Sequence, residues 1–152
     1  MNIILLGAPG AGKGTQGQLL SENLGIPWIS IGELFREEIA QKTLEGQRLQ
    51  KYLDKGLNVP GDLTLSILNK NIKKCKNGFI LDNYPRSIDQ LNTFRDFVKR
   101  SGLKFDKVIH LLVKEDTSIK RLPIKSMLRY REDFGVGNSY LPNGRYQQLS
   151  GC

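Results

Sequence analysis

The sequence predicts an α/β domain built around a parallel sheet, and three observations predict it. Short apolar segments alternate with longer segments of helical periodicity. A glycine-rich loop, Gly7–Gly14, follows the first apolar segment and opens a helix. The 152 residues, 39% apolar and 25% charged, suit one folded domain. The longest apolar runs are too short to span a bilayer, and we expect neither a membrane segment nor a secretory signal.

The predicted strands are the four short apolar segments. Each is five to seven residues long, and the first ends at a glycine, Gly7. The first segment is predicted to be a strand buried on both faces, as parallel strands usually are. The four segments are Asn2–Leu6, Ile26–Ser30, Gly78–Asp82 and Lys107–Val113.

Helices fill the first two intervals between these strands. The first helix follows the glycine-rich loop and is expected to stop at Gly25, since glycine readily adopts the left-handed conformation that ends a helix. The segments Gly32–Gln41 and Leu44–Lys55 also have helical character, and Gly56 ends the latter.

Three further helices begin at residues that favour N-caps. Asp62 and Asp116 are expected caps because a carboxylate accepts hydrogen bonds from the first free N–H groups. Ser87 is followed three residues later by Gln90, which is the spacing of a capping box. These helices are predicted to run to about Lys74, Ser101 and Arg121.

The chain after residue 133 differs from what precedes it. Eleven of the nineteen residues in 134–152 are Gly, Pro, Asn, Ser or Gln, and no regular periodicity survives. We therefore predict a core over residues 1–133 and an irregular, poorly ordered tail over 134–152, with a fifth edge strand missing. The two cysteines, Cys75 and Cys152, have no metal-ligand spacing, so we expect a reducing cytoplasm and no zinc.

Positive charge is concentrated in one part of the chain. The net charge is +8, and residues 99–131 carry ten basic and three acidic side chains. This balance favours an anionic partner. Nucleic acid ranks last among the candidates because no aromatic–basic interleaving accompanies the charge. His110 is expected to be packed in the fourth strand, and Cys75 to be an exposed thiol.

The glycine-rich loop has the composition of a phosphate-binding loop. Its glycines let backbone N–H groups point inward, and the following helix adds the positive end of its dipole. Lys13 is placed to reach the β- and γ-phosphates of a nucleotide, and Thr15 to approach a magnesium ion. The spacing differs from the general pattern, because Gly14 stands where Ser or Thr is usual.

Asp82 ends the third predicted strand, behind three apolar residues. An acid at the carboxyl end of a buried strand in a nucleotide-binding sheet is placed to hold magnesium directly or through water. Taken alone, the position is also typical of an aspartate that merely starts a turn.

Together with this loop, three further stretches resemble the adenylate kinase family. They are Ser30–Arg36, Asp82–Gln90 and Ile109–Arg121, and the resemblance covers about residues 1–125. It implies a P-loop kinase fold with an inserted AMP-binding segment at about 30–60. It also implies magnesium-dependent transfer of a phosphoryl group from ATP to AMP, giving two ADP. The implied role is nucleotide biosynthesis and energy balance in the cytoplasm, as a monomer without nucleic-acid or membrane partners.

The resemblance also implies the site residues. The catalytic residues would be Lys13, Arg86, Arg121 and Arg131, with Asp133 positioning Arg131. ATP would be bound by Gly10, Ala11, Gly12, Lys13, Gly14, Thr15 and Arg121. AMP would be bound by Ile31, Arg36, Val59, Asn83, Arg86 and Gln90. Magnesium, carried with ATP, would be near Thr15 and Asp82.

Several positions depart from the family pattern. Ile31 replaces a small polar residue, Asn83 a glycine, Lys125 a second lid arginine and Phe134 an aspartate. Asparagine tolerates the left-handed backbone conformation, so we expect the loop at Asn83 to keep its shape.

The sequence also lacks the family's lid and C-terminal portion, which predicts weak activity with leakage to hydrolysis, or none. The alternatives are therefore a shortened nucleotide-binding paralogue or fragment with little turnover, or a kinase for UMP or CMP.

Overall fold

A four-stranded parallel sheet forms the centre of the molecule. The computed structural model describes residues 1–121, 138–140 and 146–148. The strands are β1 (Asn2–Gly7), β2 (Trp28–Ser30), β3 (Phe79–Asp82) and β4 (Lys107–Leu111). They lie in the order β2-β3-β1-β4. The predicted α/β class and parallel sheet are confirmed, with strand ends that differ by up to two residues from those predicted.

The strand register aligns β1 with its neighbour on each side. Ile3 pairs with Ile80 of β3, and Leu5 pairs with Ile109 of β4, on the opposite side of β1. Because all four strands are parallel, their carboxyl ends meet at one edge. That edge carries the loop after β1 and the carboxylate of Asp82.

Six helices accompany the sheet within residues 1–121. They are α1 (Lys13–Leu24), α2 (Ile31–Ala40), α3 (Leu44–Leu53), α4 (Gly61–Ile72), α5 (Ile88–Ser101) and α6 (Glu115–Arg121). None of those within residues 1–121 has the length and hydropathy needed to cross a membrane.

In the described part of the chain, two apolar clusters hold α1 to α5 to the sheet. One contains Ile3, Leu5 and Ile80, with Leu20 of α1 packed against them. The larger cluster joins the sheet to α2–α5, and Phe94 of α5 belongs to it. Burial of apolar surface on both faces is what a parallel sheet requires, and it fixes the edge on which the site is built.

Helix ends agree with the sequence predictions where the signal is local. Gly25 adopts the left-handed conformation after α1, with φ of 63°. The hydroxyl of Ser87 accepts a hydrogen bond from the N–H of Gln90. The predictions for Asp62 and Asp116 were wrong, because α4 begins at Gly61 and α6 at Glu115, which places both aspartates inside the first turn.

The prediction that His110 is packed was also wrong. His110 is exposed, and Val108, two residues earlier on the same face of β4, is 62% exposed. β4 stands at the edge of the sheet, paired with β1. Cys75 is half-buried rather than exposed, and burial raises the pKa of its thiol.

Within the predicted tail, two short strands pair in antiparallel fashion. They are β5 (Asn138–Tyr140) and β6 (Tyr146–Gln148). The other residues of the tail lie outside the described ones, and so do Lys125, Arg131 and Asp133. The predicted extent of the tail and its order stay predictions.

Candidate nucleotide site

The loop between β1 and α1 follows a path that only glycine adopts easily. Gly7, Gly10 and Gly12 have φ of 154°, 78° and 88°. A Cβ atom on Gly7 would lie 2.7 Å from the carbonyl oxygen of Leu111, and one on Gly10 would lie 3.2 Å from that of Ser118. The loop is therefore both wound in the left-handed region and in close contact with β4 and α6.

Lys13 is held at this loop at the start of α1. Its Nζ donates hydrogen bonds to the carbonyl oxygens of Gly7, at 2.8 Å, and Ala8, at 3.0 Å. Burial lowers the pKa of Lys13, while the charge of Asp82 raises it and that of Arg86 lowers it. A partly desolvated cation on the phosphate loop is the electrostatic partner that nucleotide phosphates need.

Asp82 ends β3 beside this cation. It is 8% exposed, and its Oδ1 is buried without a hydrogen-bond partner among the described residues. Burial raises the pKa of Asp82, whereas the charges of Lys13 and Arg86 act in the opposite direction. A buried carboxylate oxygen without a partner is costly unless a ligand satisfies it.

The donor set at this edge fits magnesium bound together with a nucleotide. Asp82 offers a carboxylate, and Thr15, exposed in the first turn of α1, offers a hydroxyl. Mg²⁺ usually takes one or two protein oxygens and completes its shell with phosphates and water. The described residues contain no cluster of three or more His, Cys, Asp or Glu side chains for a metal.

Arg121 reaches the phosphate loop from the end of α6. Its Nη1 donates a hydrogen bond to the carbonyl oxygen of Gly10 at 3.1 Å. One turn earlier, Ser118 is buried against the same loop, and within the described part of the chain its Oγ has no hydrogen-bond partner. Sequence reasoning missed Ser118, because nothing in a lone helical serine signals that it will be buried.

A cavity of about 320 Å³ opens between α2, the end of α3 and the loop before α4. It brings together five of the six residues predicted to bind AMP. The five are Ile31, Arg36, Val59, Arg86 and Gln90. Apolar side chains complete the lining, among them Phe35, Leu53 and Leu57. An apolar chamber with a few convergent polar groups is typical of a site for a small ligand.

The sixth residue, Asn83, does not line this cavity but bonds to Arg86, which does. Its φ of 53° places it in the left-handed region, which asparagine tolerates better than most residues. The N–H of Asn83 donates to the carbonyl oxygen of Leu5 at 2.8 Å, and its own carbonyl accepts from Nε of Arg86 at 2.9 Å.

Gln90 sits at the back of the cavity with both ends of its amide engaged. Its Oε1 accepts the backbone N–H of Arg86 at 2.9 Å. Its Nε2 donates to the carbonyl oxygen of Val59 at 3.3 Å. Because Gln90 is 6% exposed, these bonds fix the direction of its amide. A purine edge in the cavity would meet its remaining donor and lone pair.

Two guanidinium groups stand at the cavity. Arg36, exposed on α2, lies 3.8 Å from the carboxylate of Glu33, one turn earlier. Arg86, also exposed, is oriented by its bond to Asn83. Guanidinium groups suit phosphate because they donate in a planar fork.

These features define a P-loop α/β protein with two neighbouring parts, the phosphate-binding loop and the cavity lined by Arg36 and Arg86. A family model described as "Adenylate kinase" matches residues 5–133. The adenylate kinase of Nocardia farcinica is 45% identical over 124 residues, 80% of this chain and 68% of that protein. The adenylate kinase of Streptomyces avermitilis is 41% identical over 144 residues, 93% of this chain and 66% of that protein. The adenylate kinase of Caldicellulosiruptor bescii is 42% identical over 124 residues, 58% of its length.

The chain therefore belongs to the adenylate kinase family. Across these three relatives, it spans 58% to 68% of their length.

Proposed function

We propose that the protein transfers a phosphoryl group reversibly from ATP, bound with Mg²⁺, to AMP, giving two ADP. The bond between the γ-phosphorus and the β–γ bridging oxygen of ATP breaks, and a bond from that phosphorus to an α-phosphate oxygen of AMP forms. One observation carries this proposal. Arg86 lines the cavity, and its positive charge also lowers the pKa values of Lys13 and Asp82 at the phosphate loop.

The phosphate loop is the proposed ATP side. Backbone N–H groups of residues 10–15 surround the phosphates. Lys13 neutralises negative charge on the β- and γ-phosphates while that charge shifts during phosphoryl transfer. Lys13 now donates to two loop carbonyls, so its ammonium is already close to the cradle that the phosphates enter. Arg121, bonded to Gly10, adds a second cation at the loop.

The cavity is the proposed AMP side. Arg36 and Arg86 bind the α-phosphate, while Val59 and Gln90 meet the adenine edge. Adenine presents an N–H donor beside a ring acceptor, and the Val59 carbonyl with the Gln90 amide presents the complementary pair. Ile31, buried in the lining, replaces a polar contact with packing against the base or ribose.

Asp82 and Thr15 would hold magnesium, which would supply positive charge to neutralise the nucleotide phosphates. Phosphoryl transfer asks little covalent chemistry of the protein. What this chain's residues supply is placement of the two substrates and fixed positive charge around the transferred group. Arg131 is proposed as a further cation at that group; it lies outside the described residues.

The test is an assay of ADP formation with ATP, magnesium and one monophosphate at a time. We expect ADP to form with AMP, and more slowly with CMP or UMP, because the cavity presents a donor and an acceptor matched to adenine. Both ATP and AMP should raise the melting temperature, since ligands that bind the native state stabilise it by mass action. Nucleotide binding without ADP formation would refute the catalytic proposal. A preference for a pyrimidine would refute the base assignment.

We further propose that the chain acts as a monomer in the cytoplasm, within nucleotide biosynthesis, with nucleotides as its partners rather than nucleic acid or membranes. The position of the charged groups around the phosphate loop and the cavity supports small anionic ligands. Light scattering on the purified protein tests the monomer.

A further inference from the structure

The segment that carries the Val59 carbonyl leads directly into α4, and the start of that helix has no cap of its own. Pro60 occupies the N-cap position and offers no side-chain hydrogen bond. The next residue, Gly61, has the first free N–H group of the helix. An unpaired N–H at this partly buried position would be unfavourable, so its partner matters.

That partner comes from α5. The Oδ2 of Asp89 accepts the N–H of Gly61 at 2.7 Å, across 28 residues of sequence. A negative charge at a helix N-terminus is favourable, and a carboxylate bonded to a backbone N–H is a short, charge-assisted hydrogen bond. Asp89 therefore caps α4 from a different helix.

The two helices are close enough here that only glycine fits. A Cβ atom on Gly61 would lie 2.6 Å from Oγ1 of Thr93 and 3.0 Å from Oδ2 of Asp89. Thr93 itself donates from Oγ1 to the carbonyl oxygen of Asp89 at 3.0 Å. The start of α4 is thus fixed against the first turn of α5 by contact as well as by a hydrogen bond.

The neighbouring residue of α5 completes a double attachment. Gln90 donates to the Val59 carbonyl, while Asp89 accepts from Gly61, so consecutive residues of α5 hold both sides of Pro60. Val59 and Gln90 line the monophosphate cavity, whereas Asp89 does not. Of the two attachments, the Gln90–Val59 bond lies at the cavity, and the Asp89–Gly61 bond lies outside its lining.

We propose that Asp89 is a positioning residue for the monophosphate site. By holding Gly61 it fixes the direction of the Val59 carbonyl, and so it sets the affinity for AMP without touching AMP. This inference rests on the proposed function of the cavity. It adds a residue that reaches the ligand only through the backbone of 59–61.

Steady-state kinetics on the full chain test the proposal. Asp89→Ala should raise KM for AMP about five- to tenfold, since one charge-assisted bond is lost at a distance from the ligand. The values of kcat and of KM for ATP should stay within about twofold, because the phosphate loop is not altered. Asp89→Asn retains an acceptor oxygen and should recover most of the affinity. Asp96→Ala removes the same charge from an exposed site on α5 and is the matched control.

Hydrogen exchange gives a readout that needs no nucleotide. The amide of Gly61 should be protected in the wild type and in Asp96→Ala, and should exchange faster in Asp89→Ala. If that amide exchanges equally in both variants, the capping role is overturned. If it exchanges faster while KM for AMP is unchanged, the link to the monophosphate site is overturned.

The proposed function fails in a different way. A wild-type chain that neither binds nor phosphorylates AMP overturns it, and this inference with it, even where the Gly61 amide behaves as expected. Circular dichroism melts of each variant separate these results from loss of folding, in which KM for ATP and kcat would change together with KM for AMP.

Discussion

The candidate site has two halves, the phosphate loop with Asp82 and the monophosphate cavity, and they differ in whether their buried polar groups have hydrogen-bond partners. At the phosphate loop, Oδ1 of Asp82 and Oγ of Ser118 are buried with no hydrogen-bond partner in the part of the chain that the structure describes, and Lys13 is partly desolvated. In the monophosphate cavity, both ends of the Gln90 amide are engaged, and α4 is capped by Asp89. One half carries unsatisfied charge, and the other is fixed by internal hydrogen bonds.

The difference follows from the ligand groups that these particular side chains are proposed to meet; Arg36 and Arg86, the phosphate contacts of the cavity, are a separate set. Phosphates and magnesium bring strong charge, so groups left unpaired in the protein become strong partners when those ligands bind. An adenine edge brings only neutral donors and acceptors, each with a net value of about 0.5–1.5 kcal/mol. Weak contacts discriminate only if the protein groups are already oriented, which is what the bonds around Gln90 provide.

The largest effect is expected at the phosphate loop. Lys13→Ala removes the cation proposed to follow the transferred charge, and kcat should fall about a thousandfold, as for other groups that stabilise only the transition state. An assay of ADP formation at saturating AMP measures it. Lys99→Ala, an exposed change near the end of α5, is the control and should leave kcat within about twofold. A Lys13→Ala protein with near-normal kcat would show that the loop cation is not part of the reaction.

A smaller effect is expected in the cavity. Gln90→Leu removes the amide and its two buried hydrogen bonds, to the Val59 carbonyl and the Arg86 N–H, at a cost of about 1–3 kcal/mol in folding stability. We expect KM for AMP to rise about tenfold or more and the preference for AMP over CMP to shrink, with kcat much less affected. Kinetics with both monophosphates test this.

The same chemical change at Gln18, which is exposed on α1, is the control for Gln90→Leu. If Gln90→Leu kept its preference for AMP, the internal bonds of Gln90 would be purely structural.

Residues of both halves could be named from the sequence: five of the six residues expected to bind AMP line the cavity, and Arg121 was expected from the family resemblance. The loop and Lys13 are local signals, and the structure places them together with Arg121. Ser87 and Gly25 were predicted correctly for the same reason, because a cap depends on the residue itself and its immediate neighbours. The roles assigned to the site residues stay predictions.

Contacts between distant residues could not be predicted. Asp89 bonds to Gly61 across 28 residues, and Gln90 to Val59 across 31, and neither spacing has a periodicity that a sequence displays. Asp62 failed as a cap because the chain enters α4 one residue earlier, at a glycine tight against α5. His110 failed because burial in a strand depends on its neighbours in the sheet, and β4 is at the edge.

The smallest expected effect is on the free energy of unfolding. A substitution at Asp82 in the phosphate half should raise it, whereas the substitution at Gln90 in the cavity should lower it. Burial raises the pKa of Asp82 in the folded protein above its value of 3.8 in an exposed chain. Between those two pKa values the folded state holds more protons than the unfolded one, so the free energy of unfolding falls as pH rises through that window and stays lower at pH 7. Asp82→Asn carries no charge and should be more stable at pH 7 by about 1 kcal/mol, with a flatter profile at acid pH.

Chemical denaturation from pH 3 to pH 8 would detect this change. Lys13 and Arg86 partly offset the burial of Asp82, so the gain from Asp82→Asn should be larger in a Lys13→Ala background. Gln90→Leu should instead lose stability at every pH, because its partners are neutral. A loss of stability in Asp82→Asn would mean that the carboxylate is satisfied when the protein folds. The contrast between an unsatisfied phosphate half and a satisfied cavity would then be wrong at its central residue.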